Sequence, residues 1–264
     1  MILIDSHSHL DFSEFDNDRA DMLNRAKKSG VSDIIISATT AERWPLLKNL
    51  KQIDSSKPEC HIAYGLHPMF MSEHKLEHLD SLKTLLEKEE AIAVGEIGLD
   101  FFIPEPDMKK QIDFFTAQLA IANELNLPVI IHARKSQDIV LKYLRQFPNL
   151  RGSLHSFSGS EQQAKQLIDL GFYLGFGGPI TYTRATKLRK LVSTLPLEAL
   201  LIETDSPDQP DALHFGERNE PAYLPNIAET IAQLRGISID EVARITTYNT
   251  RTLFKLEETF APEI

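Results

Sequence analysis

The regular alternation of short apolar runs with longer segments of helical spacing constrains the fold of this chain more than any other feature. Eight apolar runs follow one another, at residues 2–7, 33–37, 61–65, 92–96, 129–132, 152–155, 172–176 and 200–205. Runs without polar alternation are typical of parallel strands that are covered on both faces. The pattern therefore predicts a parallel sheet whose strands are joined by helices.

Helical spacing fills most of the intervals between these runs and continues after the last one. The predicted helices span residues 16–29, 41–53, 77–89, 107–125, 137–146, 161–170, 184–194, 221–235 and 239–254. Ser160 offers an N-cap and Gly171 a left-handed terminal residue for one helix, and Ser238 with Glu241 forms a capping-box pattern at another.

The number of repeating units matches one known architecture. Eight βα units in 264 residues amount to 33 residues per unit, and (β/α)8 barrels have about 250 residues. No linker interrupts the pattern, so we predict an α/β fold, a (β/α)8 TIM barrel formed by a single domain over residues 1–264. An open, doubly wound sheet is the main alternative. It often carries a glycine-rich loop after its first strand, where this chain has His7-Ser8-His9-Leu10.

Side chains of metal-ligand type end five of the eight predicted strands, where barrels hold their chemistry. They are His7, His9, Glu96, His132, His155 and Asp205. Each one alone is as easily a hydrogen-bonded core residue or an ion-pairing group. Packing gives no reason for all six, because buried ionisable groups are costly unless paired or bound to metal. Their number exceeds the need of one tetrahedral ion, whereas two divalent ions sharing a carboxylate would use all six.

The charge and the cysteine content restrict partners and location. The chain has 28 Lys and Arg against 38 Asp and Glu, a formal charge of −10, which argues against a broad electrostatic footprint for nucleic acid. No run approaches the roughly 20 apolar residues of a membrane span, and no basic and apolar leader begins the chain. A single cysteine, Cys60, suits a reducing compartment. We predict a cytoplasmic protein without membrane association or an obligate protein partner.

The motifs around these candidate ligands resemble those of the TatD family of metal-dependent hydrolases, within the amidohydrolase-like barrels. The matching segments are Ile4-Asp5-Ser6-His7-Ser8-His9-Leu10, Gly65-Leu66-His67-Pro68, Gly95-Glu96-Ile97-Gly98-Leu99-Asp100, Ile131-His132-Ala133-Arg134, His155-Ser156-Phe157-Ser158-Gly159, Glu203-Thr204-Asp205-Ser206-Pro207 and Arg218-Asn219-Glu220-Pro221. The likeness covers essentially the whole chain and is nearer to uncharacterised members than to the deoxyribonuclease that names the family. It implies a TIM barrel of the metal-dependent hydrolase type.

The resemblance also assigns roles to the candidate ligands. One ion would be held by His7, His9, Glu96 and Asp205, and a second by Glu96, His132 and His155. Glu96 would then bridge the ions, and Asp205 would serve both as ligand and as proton acceptor for the attacking water. Zinc, manganese and magnesium all stay open as the metal.

Two residues outside this set are candidate substrate contacts. His67 follows the third predicted strand, so substrate contact and loop stabilisation are both open. Arg218 lies after the eighth strand and is a candidate partner of a phosphate oxygen; a surface ion pair with Glu217 or Glu220 is its alternative role. The other four histidines are predicted to be structural or on the surface, and they are His61, His74, His78 and His214.

Three functions remain open at this point. The first is a phosphodiesterase of the deoxyribonuclease type, and the second is a hydrolase of a small amide, lactone or phosphoester. The third is a metalloprotein without catalytic activity. Two divalent ions would add +4 to the −10 of the chain and concentrate positive potential at the barrel mouth. We therefore expect any binding of DNA to be weak, local and limited to ends or short single strands.

Overall fold

Eight parallel strands form one sheet in this structure, a computed structural model that describes residues 1–51, 56–89 and 91–256. The strands are β1 (Leu3–Ser8), β2 (Val31–Ser37), β3 (Glu59–Tyr64), β4 (Ala93–Asp100), β5 (Val129–Arg134), β6 (Gly152–Leu154), β7 (Phe172–Phe176) and β8 (Leu200–Ile202). Each strand pairs in parallel with the next along the chain. This order confirms the predicted TIM barrel. The single-domain prediction extends to residues 257–264, which lie outside the described residues.

Helices connect the strands on the outside of the barrel. They are α1 (Arg19–Lys28), α2 (Trp44–Leu50), α3 (Glu77–Lys88), α4 (Met108–Leu125), α5 (Gln137–Leu144), α6 (Glu161–Asp169), α7 (Thr186–Thr194), α8 (Leu224–Arg235) and α9 (Ile239–Phe254). Ser160 caps α6 in a full capping box, and Ser238 accepts a hydrogen bond from the Glu241 amide at the start of α9. None of the helices in the described ranges has the length and apolar character needed to cross a membrane.

The structure refines several predicted boundaries. The helices predicted to begin at residues 41 and 221 start instead with 3-10 turns, and α2 and α8 begin beside Pro45 and Pro225. Proline suits the first helical turn because its missing N–H has no acceptor there. The end predicted for α2, Ile53, lies outside the described residues.

Several predicted strand ends differ from the structure. β4 and β5 continue past Glu96 and His132, to Asp100 and Arg134, and two other strands end before the candidate ligand that was predicted to end them. β6 ends before His155 and β8 ends before Asp205. Asp205 has a φ of 57°, and Ser156, next to His155, has a φ of 44°. No strand residue adopts such left-handed angles. The chain therefore leaves the sheet just before it presents these side chains.

A buried carboxylate joins the first and last strands of the nearly closed barrel. Asp5 accepts hydrogen bonds from the amide and the hydroxyl of Thr204, at 2.9 and 2.6 Å. Backbone hydrogen bonds from Asp205 to His7 and from His9 to Ser206 continue the junction. Burial raises the pKa of Asp5 to about 6, although the hydrogen bonds from Thr204 lower it. Asp5 thus has a structural role at the seam between β1 and β8.

Apolar side chains fill the base of the barrel and leave its mouth open. Ile34 and Ile36 pack against the outer helices, whereas Ile35 points to the opposite face of β2. The inner cluster joins four further strands to the end of α9, and its other members are Ala63, Ala93, Ile130, Leu201, Leu253 and Phe254. The carboxyl ends of the strands surround a cavity of about 650 Å³.

Candidate metal centre

The structure brings the six candidate ligands together at the carboxyl ends of the strands. Five of them line the cavity, namely His9, Glu96, His132, His155 and Asp205. His7 lies fully buried beneath them. The convergence follows from the topology, because parallel strands of a barrel all end at the same rim.

One group of ligand atoms surrounds Oε2 of Glu96. His7 Nε2 is 3.1 Å and His9 Nε2 is 3.3 Å from this oxygen. Oδ1 of Asp205 lies 3.4 Å from the first nitrogen and 3.5 Å from the second. The two Nε2 atoms are 3.2 Å apart. Two nitrogens and two carboxylate oxygens from three separate segments therefore face one point.

Ser37, at the end of β2, orients both imidazoles of this group. Its carbonyl oxygen is 3.0 Å from Nδ1 of His9 and its hydroxyl is 3.1 Å from Nδ1 of His7. A carbonyl oxygen only accepts, so Nδ1 of His9 carries a proton, and the neutral ring presents the lone pair of Nε2 to the group. This arrangement prepares His9 as a metal ligand.

The second group surrounds the other oxygen of Glu96. Oε1 is 2.9 Å from His132 Nδ1 and 2.7 Å from His155 Nε2, and these nitrogens are 3.1 Å apart. Nε2 of His132 donates to Oδ2 of Asp100 at 3.0 Å. When the His132 ring is neutral, this hydrogen bond leaves the lone pair of Nδ1 directed at the same point as Oε1 of Glu96. A carboxylate behind a ligating histidine is a common way to fix its tautomer and raise its basicity.

Glu96 lies between two sets of nitrogens, one at each carboxylate oxygen. Its side chain is fully buried, and Oε2 has no hydrogen-bond partner within the described part of the chain. Burial opposes ionisation of Glu96, but its electrostatic interactions with the surrounding imidazoles of His155, His67 and His7 hold its pKa well below the usual range. A buried, ionised oxygen that faces imidazole lone pairs fits a cation better than it fits a hydrogen-bond network.

Without a metal ion, the imidazoles of the two groups hold protons instead. Burial alone would lower the pKa of His7, yet the charges of Glu96 and Asp205 raise it to about 9. Asp100 and Glu96 likewise raise the pKa of His132 to about 9 against the effect of burial. The donor set therefore fits divalent metal in two groups that share Glu96. The individual ligand assignments and the number of ions stay predictions.

His67 lies at the cavity wall and stabilises its own loop, whereas its contact with substrate stays a prediction. It lines the cavity, and its Nδ1 accepts a hydrogen bond from the Met69 amide at 3.1 Å. Nε2 therefore carries the proton and donates to Oε1 of Glu96 at 3.0 Å. Burial lowers the pKa of His67 to about 4, and His74 donates to its carbonyl oxygen. The ring is thus a neutral donor at the cavity wall, in a loop that it also stabilises.

Arg218 does not come to the cavity. Its guanidinium donates to both carboxylate oxygens of Asp18, at 2.6 and 2.8 Å, and to the carbonyl of Glu14. Glu220, one of the two acceptors considered for an ion pair, lies 3.4 Å away. Arg218 is absent from the cavity lining. Its contact with a substrate phosphate stays a prediction without support from this placement.

Three residues of the site were not among the candidate site residues predicted from the sequence. Asp100 lies four residues after Glu96 on β4, an even spacing that puts both on one face, and this was a usable signal. Ser37 ends β2 but has no ligand chemistry of its own. Glu203 is buried 3.8 Å from Nδ1 of His155 and accepts a hydrogen bond from the Ser156 amide, and burial raises its pKa to about 8.

The model of one protein family matches almost the whole chain. The family is described as TatD related DNase, and the match covers residues 4–255. The chain belongs to the TatD family. Two relatives agree with this. The uncharacterised metal-dependent hydrolase YjjV of Escherichia coli is 39% identical over 256 residues, 96% of this chain and 98% of that one. The 3'-5' ssDNA/RNA exonuclease TatD of Erwinia amylovora is 33% identical over 265 residues, 96% of this chain and 100% of that one.

Solved structures of the TatD family share the fold. The crystal structure of YjjV from Escherichia coli superposes with a TM-score of 0.91 at 37% identity, over 97% of this chain and 98% of that one. A hydrolase of the TatD family from Entamoeba histolytica gives a TM-score of 0.84 at 23% identity, over 96% and 98% of the two chains. The protein is therefore a TatD-family metal-dependent hydrolase with the barrel of that family.

Proposed function

We propose that this protein is a metal-dependent phosphodiesterase that acts on DNA ends or short oligonucleotides. The observation that carries the proposal is the position of Glu96, whose two oxygens face two separate sets of imidazole nitrogens beside an open cavity. Two divalent ions held there would supply an activated water and polarise a phosphoryl oxygen. The name of the Erwinia amylovora relative, an exonuclease of single-stranded DNA and RNA, supports the substrate class.

The side chains around the cavity have separate roles in the proposed reaction. Asp205 lines the cavity, and hydrogen bonds from His7 and His9 hold its pKa well below the usual range although burial opposes this. An ionised Asp205 accepts the proton of the attacking water, and Gln209 orients it by donating to Oδ2. His67 and the carboxylate of Glu96 fix one another at the cavity wall. We also propose a cytoplasmic location, because Cys60 is a buried free thiol.

The test uses purified protein loaded with Mg²⁺, Mn²⁺ or Zn²⁺ and single-stranded oligonucleotides labelled at one end. We expect shortened products with the wild type and none with the Asp205→Asn variant or after chelation. Metal content and circular dichroism of the variant show whether it keeps the fold. Cleavage that survives in a correctly folded, metal-loaded Asp205→Asn at wild-type rate would contradict the role of Asp205.

A small substrate is the second candidate, and two observations favour it. The cavity of about 650 Å³ has the size of a site for a single small ligand, and the chain carries a formal charge of −10. A panel of small esters, lactones and phosphoesters, assayed with the same metals, separates the two functions. Turnover of a neutral ester or lactone without any cleavage of oligonucleotides would favour the second.

A further inference from the structure

The cavity carries one basic side chain on its wall. Among the described residues that line it, Arg134 is the only lysine or arginine, and the carboxylates there are Glu96, Asp205 and Asp208. Arg134 ends β5 two residues after His132, so both side chains leave the same face of the strand. At about 3.3 Å per residue, Arg134 lies about 6.6 Å further along β5 toward the opening than His132.

The guanidinium of Arg134 is not neutralised by an ion pair. Within residues 1–51, 56–89 and 91–256 it has neither a carboxylate at salt-bridge distance nor a side-chain hydrogen bond. The charge of Arg134 acts on Asp100, but the oxygens of Asp100 already accept from the Phe102 amide and from His132. An arginine has five N–H donors, and at this position they remain available to a ligand.

An aromatic ring holds this guanidinium in place. Its central carbon lies 3.9 Å from the centre of the Phe102 ring, and Nζ of Lys135 lies 4.5 Å from the same point. Phe102 is 49% exposed. Stacking on an aromatic face orients a guanidinium without using its hydrogen-bond donors. The Phe102 ring thus contacts two cations, Arg134 on the cavity wall and Lys135 next to it in the chain.

Arg218, in contrast, uses its guanidinium donors in hydrogen bonds within the protein. Its donors are taken by both oxygens of Asp18 and by a backbone carbonyl, and it lies outside the cavity. The two arginines therefore differ in whether their donors are occupied within the structure. Arg218 stabilises the loop after β8, whereas Arg134 is free to meet an anion beside the candidate metal centre.

We propose that Arg134 binds a phosphate of the substrate adjacent to the one that is hydrolysed. This inference rests on the proposed function and deepens it, since a second phosphate distinguishes an oligonucleotide from a simple phosphodiester. The bidentate fork of a guanidinium matches a phosphate group. The positive charge also offsets the acidic lining where the substrate chain leaves the cavity.

The first test measures binding without turnover. The chelated protein is titrated against a fluorescent single-stranded oligonucleotide, and anisotropy is recorded at several salt concentrations. We expect Arg134→Gln to weaken binding about tenfold, as for a lost charged hydrogen bond. Each phosphate contact to a single strand contributes about −0.7 to the slope of log K against log salt, so the slope should become shallower by about that amount. Arg134→Lys should keep the slope.

Arg184 supplies the matched control. It is an exposed arginine stacked on Tyr182 at 5.1 Å, and it lies outside the cavity lining. Arg184→Gln removes the same charge from the chain, and we expect it to leave both affinity and slope unchanged. Equal changes in the two variants, or no change in Arg134→Gln, would overturn the proposal. Absence of any binding by the wild type would overturn it as well.

The second test uses turnover to separate the inference from the proposed function. With metal present, Arg134→Gln should raise KM for the oligonucleotide about tenfold and leave bis(para-nitrophenyl) phosphate, which has no second phosphate, unaffected. Equal losses on both substrates would assign Arg134 a structural role and overturn the inference. If the wild type hydrolyses neither substrate, the proposed function fails, while the binding titration still decides whether Arg134 contacts phosphate.

Discussion

Two clusters of imidazoles and carboxylates lie at opposite ends of this barrel. The candidate metal centre lies at the carboxyl ends of the strands. The second cluster consists of Asp33, Glu59 and His61, near the beginnings of β2 and β3, and we call it the base cluster. Its ligand atoms lie within 4.8 Å of one another, as do those of the trios in the centre. Residue type and distance alone therefore do not distinguish the two.

The clusters differ in whether their polar atoms satisfy one another. In the base cluster Nε2 of His61 donates to Oδ1 of Asp33 at 2.9 Å, and the hydroxyl of Ser32 donates to Oδ2. In the candidate metal centre Oε2 of Glu96 has no such donor among the described residues. In the base cluster both oxygens of the Asp33 carboxylate have hydrogen-bond donors, whereas the centre has ligand atoms that only a cation or additional protons can satisfy. Unmet lone pairs are therefore the better guide to a metal site.

The sharpest test of this comparison removes one imidazole from each cluster. We expect His132→Ala to lose bound metal and to reduce turnover by about 10³-fold, because metal polarisation contributes several kcal/mol to such reactions. His61→Ala should keep the metal content and the turnover of the wild type. Metal analysis and the oligonucleotide assay measure both. Loss of metal in His61→Ala would show that the base cluster binds an ion too.

Metal binding should stabilise the folded protein through the candidate metal centre and not through the base cluster. A ligand at 100 times its dissociation constant stabilises the folded state by about 2.7 kcal/mol, and a domain of this size gains about 2–4 °C in Tm per kcal/mol. We expect the Tm of the wild type and of His61→Ala to rise on metal addition and to fall back with chelator. His132→Ala should respond less. An equal rise in Tm in all three proteins would contradict the assignment of metal binding to His132 and the candidate metal centre.

The strand order and the position of the site were predictable because both follow from local patterns. Apolar runs mark buried parallel strands wherever they occur, and the ends of such strands must share one rim. The exact ends were not predictable where the backbone departs from the strand. Asp205 adopts a left-handed φ of 57°, and this depends on hydrogen bonds to other segments that no local pattern contains.

Partners of the site residues were harder to predict than the residues themselves. Arg218 follows β8, a position that suits contact with a phosphate, but Asp18 on a distant segment accepts hydrogen bonds from its guanidinium. Asp100 fixes the tautomer of His132 across two strands, and Ser37 does the same for His9. Such contacts depend on register and rotamers, which alternation along one strand does not specify. The pairing of His61 with Asp33 was not predictable for the same reason.

A pair of isosteric substitutions sharpens the comparison further. Asp100 and Asp33 each accept from the Nε2 of a histidine, at 3.0 and 2.9 Å. Asp100→Asn keeps an acceptor but removes the charge behind His132, and we expect metal affinity to fall by about 10–100-fold, as for other outer partners of metal ligands. Asp33→Asn should leave metal affinity unchanged. Competition with a fluorescent chelator gives both values, and equal affinities in the two variants would contradict the role of Asp100.

The smallest expected effect concerns the pH dependence of the base cluster. Burial opposes ionisation of Asp33, but the hydrogen bonds from His61 and Ser32 lower its pKa below the usual value. A carboxyl with a lowered pKa stabilises the folded state above the pKa of the unfolded chain, about 3.9 for Asp, and this contribution is lost as the pH falls through the folded value.

Asp33→Asn should therefore be less stable than the wild type by about 1 kcal/mol near neutral pH, the size of one partly exposed hydrogen bond to a charged group. The difference should shrink below about pH 4, where the wild-type carboxyl also becomes neutral. Urea unfolding of the chelated proteins across this range measures it. The carboxylates of the metal centre titrate equally in both proteins, so they cancel in the difference. A difference that stays constant with pH would mean that Asp33 acts through packing and not as a charged acceptor of the hydrogen bonds from His61 and Ser32.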